Sequence, residues 1–385
     1  MEIYLDYNST TPLDPLVLKA MQPYLSQHFG NPSSFHRAGQ VARHAVEEAR
    51  EKIADVLQVE PGDIIFTSGG TESDNLAVKG VLEERGEKRR SLVISSIEHQ
   101  AVLHPALNLE KKGYTIKVVP VNKNGLVDVQ KLKEIITEDT ALVSLMHVNN
   151  ETGVIQPIEE AAKLAHDKGA LFHTDAVQSF GKLVMRPETV GADLVSLSAH
   201  KICGPKGAGA LYIRKGVKIK SLTQGGHQEK NIRPGTENVS AIVGFGEAAA
   251  LAEKLRAEEA VRVKKLRDKL EQGIEKSISG VTVNGDAKKR IYNTLNVSFD
   301  ALDGETLLMN LDLKNIFVST GSACTAGSVE PSHVLLAMGI SEVLARAAIR
   351  FTLGRFTSDK EIDLTLAELP MVVQRLRQAS TGKKK

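Results

Sequence analysis

The stretch Ser319-Thr320-Gly321-Ser322-Ala323-Cys324-Thr325-Ala326-Gly327-Ser328 holds one of only two cysteines among 385 residues. A cysteine that serves packing sits among apolar neighbours, because free Cys behaves as a small buried hydrophobe. Cys324 is instead surrounded by serines, threonines and glycines, the composition of a mobile, solvent-reachable loop. A thiol so placed can react at one location and deliver at another, which points to a reactive role. Cys203, beside Ile202 and without such a loop, reads as packing.

Three further constellations could do chemistry. Thr67-Ser68-Gly69-Gly70-Thr71-Glu72-Ser73 follows a β-branched run and opens a helix reaching to about residue 82. Paired glycines permit a tight turn, and the free N–H groups of a helix start suit a phosphate. The alternative is a plain turn in which Thr71 or Ser73 caps the helix. The run fits neither nucleotide-binding pattern, G-x-x-x-x-G-K-[ST] or G-x-G-x-x-G. His173-Thr174-Asp175-Ala176-Val177-Gln178 ends an apolar strand, where open α/β sheets place ligands. A carboxylate there can hold a proton on a heteroaromatic nitrogen, and a glutamine can bond a ring oxygen. Asp175 as a turn cap is the competing explanation. Ser198-Ala199-His200-Lys201 follows the strand-like Leu194-Val195-Ser196-Leu197. Lysine forms Schiff bases with aldehydes once its surroundings lower its pKa, although most lysines are solvated surface residues. A phosphate cradle, an acid for a ring nitrogen and a lysine for an aldehyde are together the needs of pyridoxal phosphate.

These groups need a framework. Between about residues 60 and 215, short runs such as Asp63-Ile64-Ile65-Phe66-Thr67, Leu92-Val93-Ile94-Ser95, Ile116-Lys117-Val118-Val119, Leu142-Val143-Ser144-Leu145-Met146, Leu171-Phe172-His173 and Leu194-Val195-Ser196-Leu197 alternate with amphipathic helical stretches. One such helix, residues 158–168, ends on Lys168-Gly169, a cation followed by a C-cap glycine. The alternation predicts an α/β layer with a mostly parallel sheet covered on both faces. Residues 239 to about 278 read as one long helix, of the kind that leads from one domain into another. Beyond it, Val281-Thr282-Val283, Asn296-Val297-Ser298-Phe299 and Ile349-Arg350-Phe351 read as strands of a smaller α+β unit. The length predicts two or three domains. Net charge is +2 with no basic block except Lys383-Lys384-Lys385, which argues against direct nucleic-acid binding. Two cysteines, no apolar leader and no membrane-length apolar run give the expectation of a soluble protein of the cytoplasm.

With these residues in view the sequence resembles the fold-type I pyridoxal-phosphate enzymes, and within them the cysteine desulfurases of the NifS/IscS group. The resemblance runs from Leu5-Asp6-Tyr7-Asn8 to Arg355-Phe356-Thr357. Its most specific pieces are Gly30-Asn31-Pro32-Ser33-Ser34, Gly69-Gly70-Thr71-Glu72-Ser73-Asp74-Asn75, Ser198-Ala199-His200-Lys201 and Gly321-Ser322-Ala323-Cys324-Thr325. It implies a large domain (residues 16–257) with a mostly parallel seven-stranded sheet. A small α+β domain (residues 1–15 with 258–385) would carry the catalytic cysteine loop, at about residues 319–332.

By the same resemblance Lys201 binds pyridoxal phosphate covalently and moves protons at the substrate's α-carbon. Asp175 pairs with the ring nitrogen, Gln178 bonds the phenolic oxygen, and Gly70, Thr71, Ser198 and His200 hold the phosphate. His99 stacks on the ring and assists proton transfer; without the resemblance it would be a plain strand-end histidine. Asn150 contacts cofactor and substrate, and Arg350 grips the substrate carboxylate, a task suited to a planar bidentate donor. Thr236 reaches the phosphate of a neighbouring subunit, so a homodimer is implied. Cys324 takes sulfur from L-cysteine, releases alanine and passes the persulfide on. No intrinsic metal site is implied, only a transient iron–sulfur contact of Cys324 on a scaffold partner.

Housekeeping members of the group continue into a longer C-terminal segment after the last helix, residues 359 to about 378 here. That difference argues against an iron–sulfur scaffold as the sole partner; the expected sulfur acceptor is an iron–sulfur scaffold, a dedicated scaffold or a tRNA-thiolation protein. The competing activities are a selenocysteine lyase or other pyridoxal-phosphate β-lyase, an aminotransferase, a cofactor-free cysteine hydrolase pairing Cys324 with His99 or His333, and a sulfur carrier without catalysis.

Overall fold

The computed structural model describes residues 1–86, 88–320 and 330–382. In chain order the strands are β1 (Ile3–Tyr4), β2 (Ile64–Thr67), β3 (Ser91–Ser95), β4 (Thr115–Val119), β5 (Thr140–Ser144), β6 (Leu171–Asp175), β7 (Leu194–Ser198), β8 (Gly209–Ile213), β9 (Val281–Val283), β10 (Thr294–Phe299), β11 (Ile316–Phe317) and β12 (Ala348–Thr352). Seven of them form one sheet in the order β2-β8-β7-β6-β5-β3-β4. The pairs from β4 through β7 are parallel, and β8 alone runs antiparallel, between β2 and β7.

Every residue of β3, β5, β6 and β7 is buried. That explains why these strands read as near-continuous apolar runs, without a period of two: both faces of the sheet are covered. On one face Leu92, Ile94 and Leu142 meet Leu76, Val81 and Val102 of the helices Gly70–Arg85 and Gln100–Lys111. On the other, Val93, Val143 and Phe172 meet Ile53, Ala161 and Phe245 of Arg37–Leu57, Ile158–Asp167 and Val239–Ser277. Successive residues of a strand thus feed two separate cores.

Two details depart from the sequence reading. The β5 strand begins and ends two residues earlier than its apolar run, because Leu145 and Met146 stay buried after the strand has ended. The strand β8 was not anticipated, since Gly207-Ala208-Gly209-Ala210 resembles a turn. Its glycine has a packing cause: a Cβ on Gly209 would lie 2.5 Å from Gly69 Cα.

A third core gathers Ile3, Leu5, Leu266, Phe299, Phe351 and Ile362 around the antiparallel sheet β12-β10-β9 and the pair β1-β11. The 39-residue helix Val239–Ser277 serves both regions, giving Phe245 and Ala248 to one core and Val263 and Leu270 to the other. No helix among the described residues is long and apolar enough to cross a membrane.

The sheet interior holds a titrating group with a measurable consequence. On β6, the fully buried His173 places Nδ1 2.8 Å from Ser144 Oγ and Nε2 2.9 Å from Ser196 Oγ. Burial pushes its pKa down to about 3. Because the folded value lies below the unfolded one, near 6.5, this stabilisation is complete above pH 6.5. It is lost as pH falls toward 3, at about 1.4 kcal/mol per pH unit. In urea titrations His173→Gln should flatten the decline in stability between pH 6.5 and 4 by about one proton's worth; an undiminished slope would refute this.

Candidate active site

The C-terminal ends of β2, β3, β6 and β7 point the same way, and the loops leaving them surround a cavity of about 380 Å³. Gly70, Thr71, His99, Asn150, Asp175, Gln178, Ser198, His200, Lys201 and Arg350 all line it. Residues up to 280 positions apart in the chain are thereby brought to one place.

At the end of β2 the helix Gly70–Arg85 begins without any side-chain cap. Gly69 has φ 155° and ψ −178°, a conformation essentially restricted to glycine. Ser73 turns inward, with Oγ 2.8 Å from Thr67 Oγ1 and donating to Ala210 O at 3.0 Å. Glu72 accepts from Ser68 N at 2.7 Å and from Arg233 Nε at 2.9 Å. Neither Thr71 nor Ser73 caps this helix, so the capped-turn reading fails and the first-turn N–H groups remain for an anion. Next to the helix start, where a Cβ on Gly70 would lie 3.7 Å from Ser198 Cβ, Ser198 Oγ is buried without a partner. A Cβ on Gly70 would come 2.6 Å from Val177 Cγ2, which requires glycine in the cradle. An uncapped helix start, an orphaned hydroxyl and an obligatory glycine fit a phosphate group.

At the end of β6, Asp175 Oδ1 accepts from Val177 N at 2.8 Å, so the turn-capping reading holds for one carboxylate oxygen. Burial pushes the Asp175 carboxyl up, opposed by His99 and Lys201. A cationic ring nitrogen beside it would bring it down again. His99 starts the helix Gln100–Lys111, its Nδ1 accepting from Ala101 N at 3.1 Å. That bond sets the tautomer, with the proton on Nε2, and burial pushes the imidazole pKa down. Gln178 Nε2 donates to Asn8 O at 2.9 Å.

Lys201 leaves β7 on a single 3₁₀ turn, Ala199–Lys201, and its Nζ donates to Asn8 O and to Ser9 O, the latter at 2.7 Å. Burial, then the charges of Lys182 and Arg350, lower its pKa to about 7 against the opposing Asp175 and Asp6. A substantial fraction of this amine is unprotonated and nucleophilic at neutral pH. His200, pushed down to about 4 chiefly by burial, is neutral and has Nδ1 3.1 Å from Thr10 Oγ1.

Arg350, on β12, donates from Nη2 to Asp6 Oδ1 (2.8 Å) and Ser9 Oγ (3.1 Å), and from Nη1 to Asn150 O (3.1 Å). Its Nε is buried and unpartnered. The guanidinium is therefore rigidly held at the cavity with donor capacity left over.

Several site residues escaped the sequence reading. Asn8 and Ser9 line the cavity, and Asn8 Nδ2 donates to Thr294 Oγ1 at 3.0 Å; nothing local marks such residues, whose partners lie hundreds of positions away. Asp74 also lines it, 3.7 Å from His173 Nε2, with Oδ1 lacking a hydrogen bond and burial pushing the carboxyl well up. A charged residue on the buried side of a helix, between Ser73 and Leu76, was the available signal. Glu98, pushed up to about 8 by burial, accepts from Ser95 Oγ and, at 3.1 Å, from Met146 N, bracing the turn before His99. Cys203 is buried, as its neighbours implied.

Thr236 is exposed and does not line its own chain's cavity. Ser319 and Thr320 do line it. Cys324, with the rest of residues 321–329, lies outside the described residues.

Residues 3–365 match the Aminotransferase class-V family. The chain is 48% identical over 382 residues to the cysteine desulfurase IscS of Dictyoglomus turgidum, covering 99% of this chain and 97% of that one. It is 45% identical to cysteine desulfurase IscS 1 of Archaeoglobus fulgidus, with 98% of each covered. Among solved structures it superposes on a NifS-like protein with a TM-score of 0.92 at 39% identity, covering 98% of this chain and all of the other. The structure of SspA in complex with cysteine gives 0.82 at 37% identity, covering 92% of this chain and all of the other.

Proposed function

This chain belongs to the aminotransferase class-V family, and from that premise we infer that it is a pyridoxal-phosphate-dependent cysteine desulfurase, converting L-cysteine to L-alanine and a protein-bound persulfide. The observation that carries the reading is one cavity uniting a depressed lysine, a buried aspartate and an uncapped helix start beside the unpartnered Ser198 hydroxyl. The neighbour solved with cysteine bound supports the substrate.

Gly70, Thr71, Ser198 and His200 would hold the cofactor's phosphate, Asp175 its ring nitrogen, Gln178 its phenolic oxygen, and His99 its ring face. When bound, pyridoxal phosphate supplies an aldehyde for covalent attachment and an electron-withdrawing ring. Lys201 provides the amine for that attachment and, once freed by the incoming substrate, carries the proton to and from the α-carbon; His99 assists. Arg350 and Asn150 fix the substrate carboxylate, which orients the Cβ–S bond. Cys324 attacks as a thiolate: its Sγ bonds to the substrate's sulfur, the Cβ–S bond breaks, and the carbon keeps the electron pair and takes a proton to become alanine's methyl group. Cys324 is four residues beyond Thr320 on the cavity wall, a covalent reach of about 14 Å.

The unit is a homodimer in which Thr236 completes the partner's phosphate site. The exposure of Thr236, and of Phe29 and Phe35 at 84% and 90%, supports a surface covered by a second copy. Residues 16–257 form the large domain and 1–15 with 258–385 the small one, supported by the separate cores. The persulfide passes to a protein thiol, on an iron–sulfur scaffold or a tRNA-thiolation protein. Two cysteines in 385 residues favour a reducing cytoplasm.

With L-cysteine and a thiol reductant the protein should release alanine and sulfide in equal amounts. Turnover on selenocysteine but not on cysteine would replace this reading with that of a selenocysteine lyase. Arg350→Lys, which loses the planar fork, should raise KM for cysteine by about 10- to 100-fold. Its cofactor absorbance should stay unchanged; an unaltered KM would remove Arg350 from the substrate site.

A further inference from the structure

Gln178 and Lys182 stand four residues apart in the segment that follows β6. Lys182 Nζ lies 3.3 Å from Gln178 Oε1, while Gln178 Nε2 donates to Asn8 O at 2.9 Å. The carboxamide oxygen is thus committed to the ammonium and one N–H to the main chain. The second N–H remains for the cavity that Gln178 lines. Lys182 also lines a second cavity of about 30 Å³, whose wall includes Lys201, Cys203, Glu259 and Arg355. Lys201 belongs to the walls of both cavities, so Lys182 approaches it from the side away from the ligand. Glu259 is already engaged by Arg355, and Lys182 has no ion pair among the described residues.

We propose that Lys182 is a positioning residue of this active site: its ammonium orients the Gln178 carboxamide so that an N–H faces the ligand's anionic oxygen, and it holds a positive charge behind Lys201. The proposal rests on the reading of Lys201 as the amine that links the cofactor. Burial lowers Lys182 to about 8, opposed by Cys203 and Glu259. Its charge is the first contribution after burial to the low pKa of Lys201, with Arg350 acting the same way and Asp175 and Asp6 against it. Of the two lysines, Lys182 therefore protonates first as pH falls. Two lysines share the work: one offers a neutral amine because the other keeps its proton.

The test uses the apoprotein, with the pH dependence of Lys201 acetylation by trace acetic anhydride read by peptide mass spectrometry. Lys182→Met keeps the stem and removes the charge. It should raise the apparent pKa of Lys201 by about one unit, reducing labelling at pH 7 by up to about tenfold. Lys182→Arg should restore the wild-type profile. Pyridoxal phosphate binding, followed by absorbance, should weaken in Lys182→Met and recover in Lys182→Arg. If a folded Lys182→Met labels Lys201 with the wild-type pH dependence, or if Lys182→Arg behaves as Lys182→Met does, the proposal is wrong. Lys182→Gln serves as the neutral variant should the methionine protein not fold. Labelling of the apoprotein needs no turnover, so its result stands apart from whether the enzyme desulfurates cysteine.

Discussion

Cys324→Ser is expected to retain the yellow, lysine-bound pyridoxal phosphate while losing persulfide formation and sustained alanine release by about 10³-fold or more, the scale on which removal of an enzymatic nucleophile acts. The reason lies in the division of labour. On the proposed reading, cofactor and substrate would be held by described residues of the cavity: the uncapped start of Gly70–Arg85, Asp175, Gln178, Lys201 and Arg350. No cysteine is among the described residues that line the cavity, and Cys203 is buried with its pKa pushed up by that burial, so it cannot substitute as a thiolate. Rapid-scan absorbance should still show cysteine entering the site of the variant, and mass spectrometry should find no added sulfur on it. Continued catalytic release of alanine would refute the role of Cys324.

Lys201→Ala should remove the covalent cofactor link altogether. In the wild-type protein, borohydride should bleach the colour and leave a pyridoxyl adduct on the peptide containing Lys201. In the variant no adduct should form, and turnover should fall by about 10³-fold or more, a loss of at least about 4 kcal/mol of transition-state stabilisation. The same experiment discriminates against a cofactor-free cysteine hydrolase, which would be colourless and indifferent to Lys201. His333, one of the two histidines such a hydrolase could use, already places Nε2 3.0 Å from the Glu98 carbonyl oxygen. Wild-type protein that stays colourless with added pyridoxal phosphate, yet hydrolyses an acyl substrate, would overturn the assignment.

How much of this was legible beforehand differs from residue to residue. The β6 and β7 strands were visible because doubly covered strands are apolar throughout, and the residues at their exits, Asp175 and Lys201, were conspicuous as charges at the ends of such runs. The β8 strand was hidden because its glycine answers to the close passage of Gly69, a contact between distant segments. Asp74 and Asn8 stood within stretches that carried the resemblance but were given no role, Asp74 being a carboxylate on the buried side of a helix, and Ser9 left no local trace.

The sequence by itself determined the chemistry available: a thiol among small polar residues, a lysine and an aspartate at strand ends, and a glycine pair before a helix. These are local properties, written in residue type and immediate spacing. Only the tertiary structure decided what those groups become. The Lys201 amine falls to about 7 because burial and the charges of Lys182 and Arg350 surround it, and none of these is set by its own neighbours in the chain. Arg350 reaches the cavity because β12 brings it beside Asp6 and Asn150. Desolvation and charge–charge interaction depend on distance in space, and that is why reactivity waited for the fold while residue type did not.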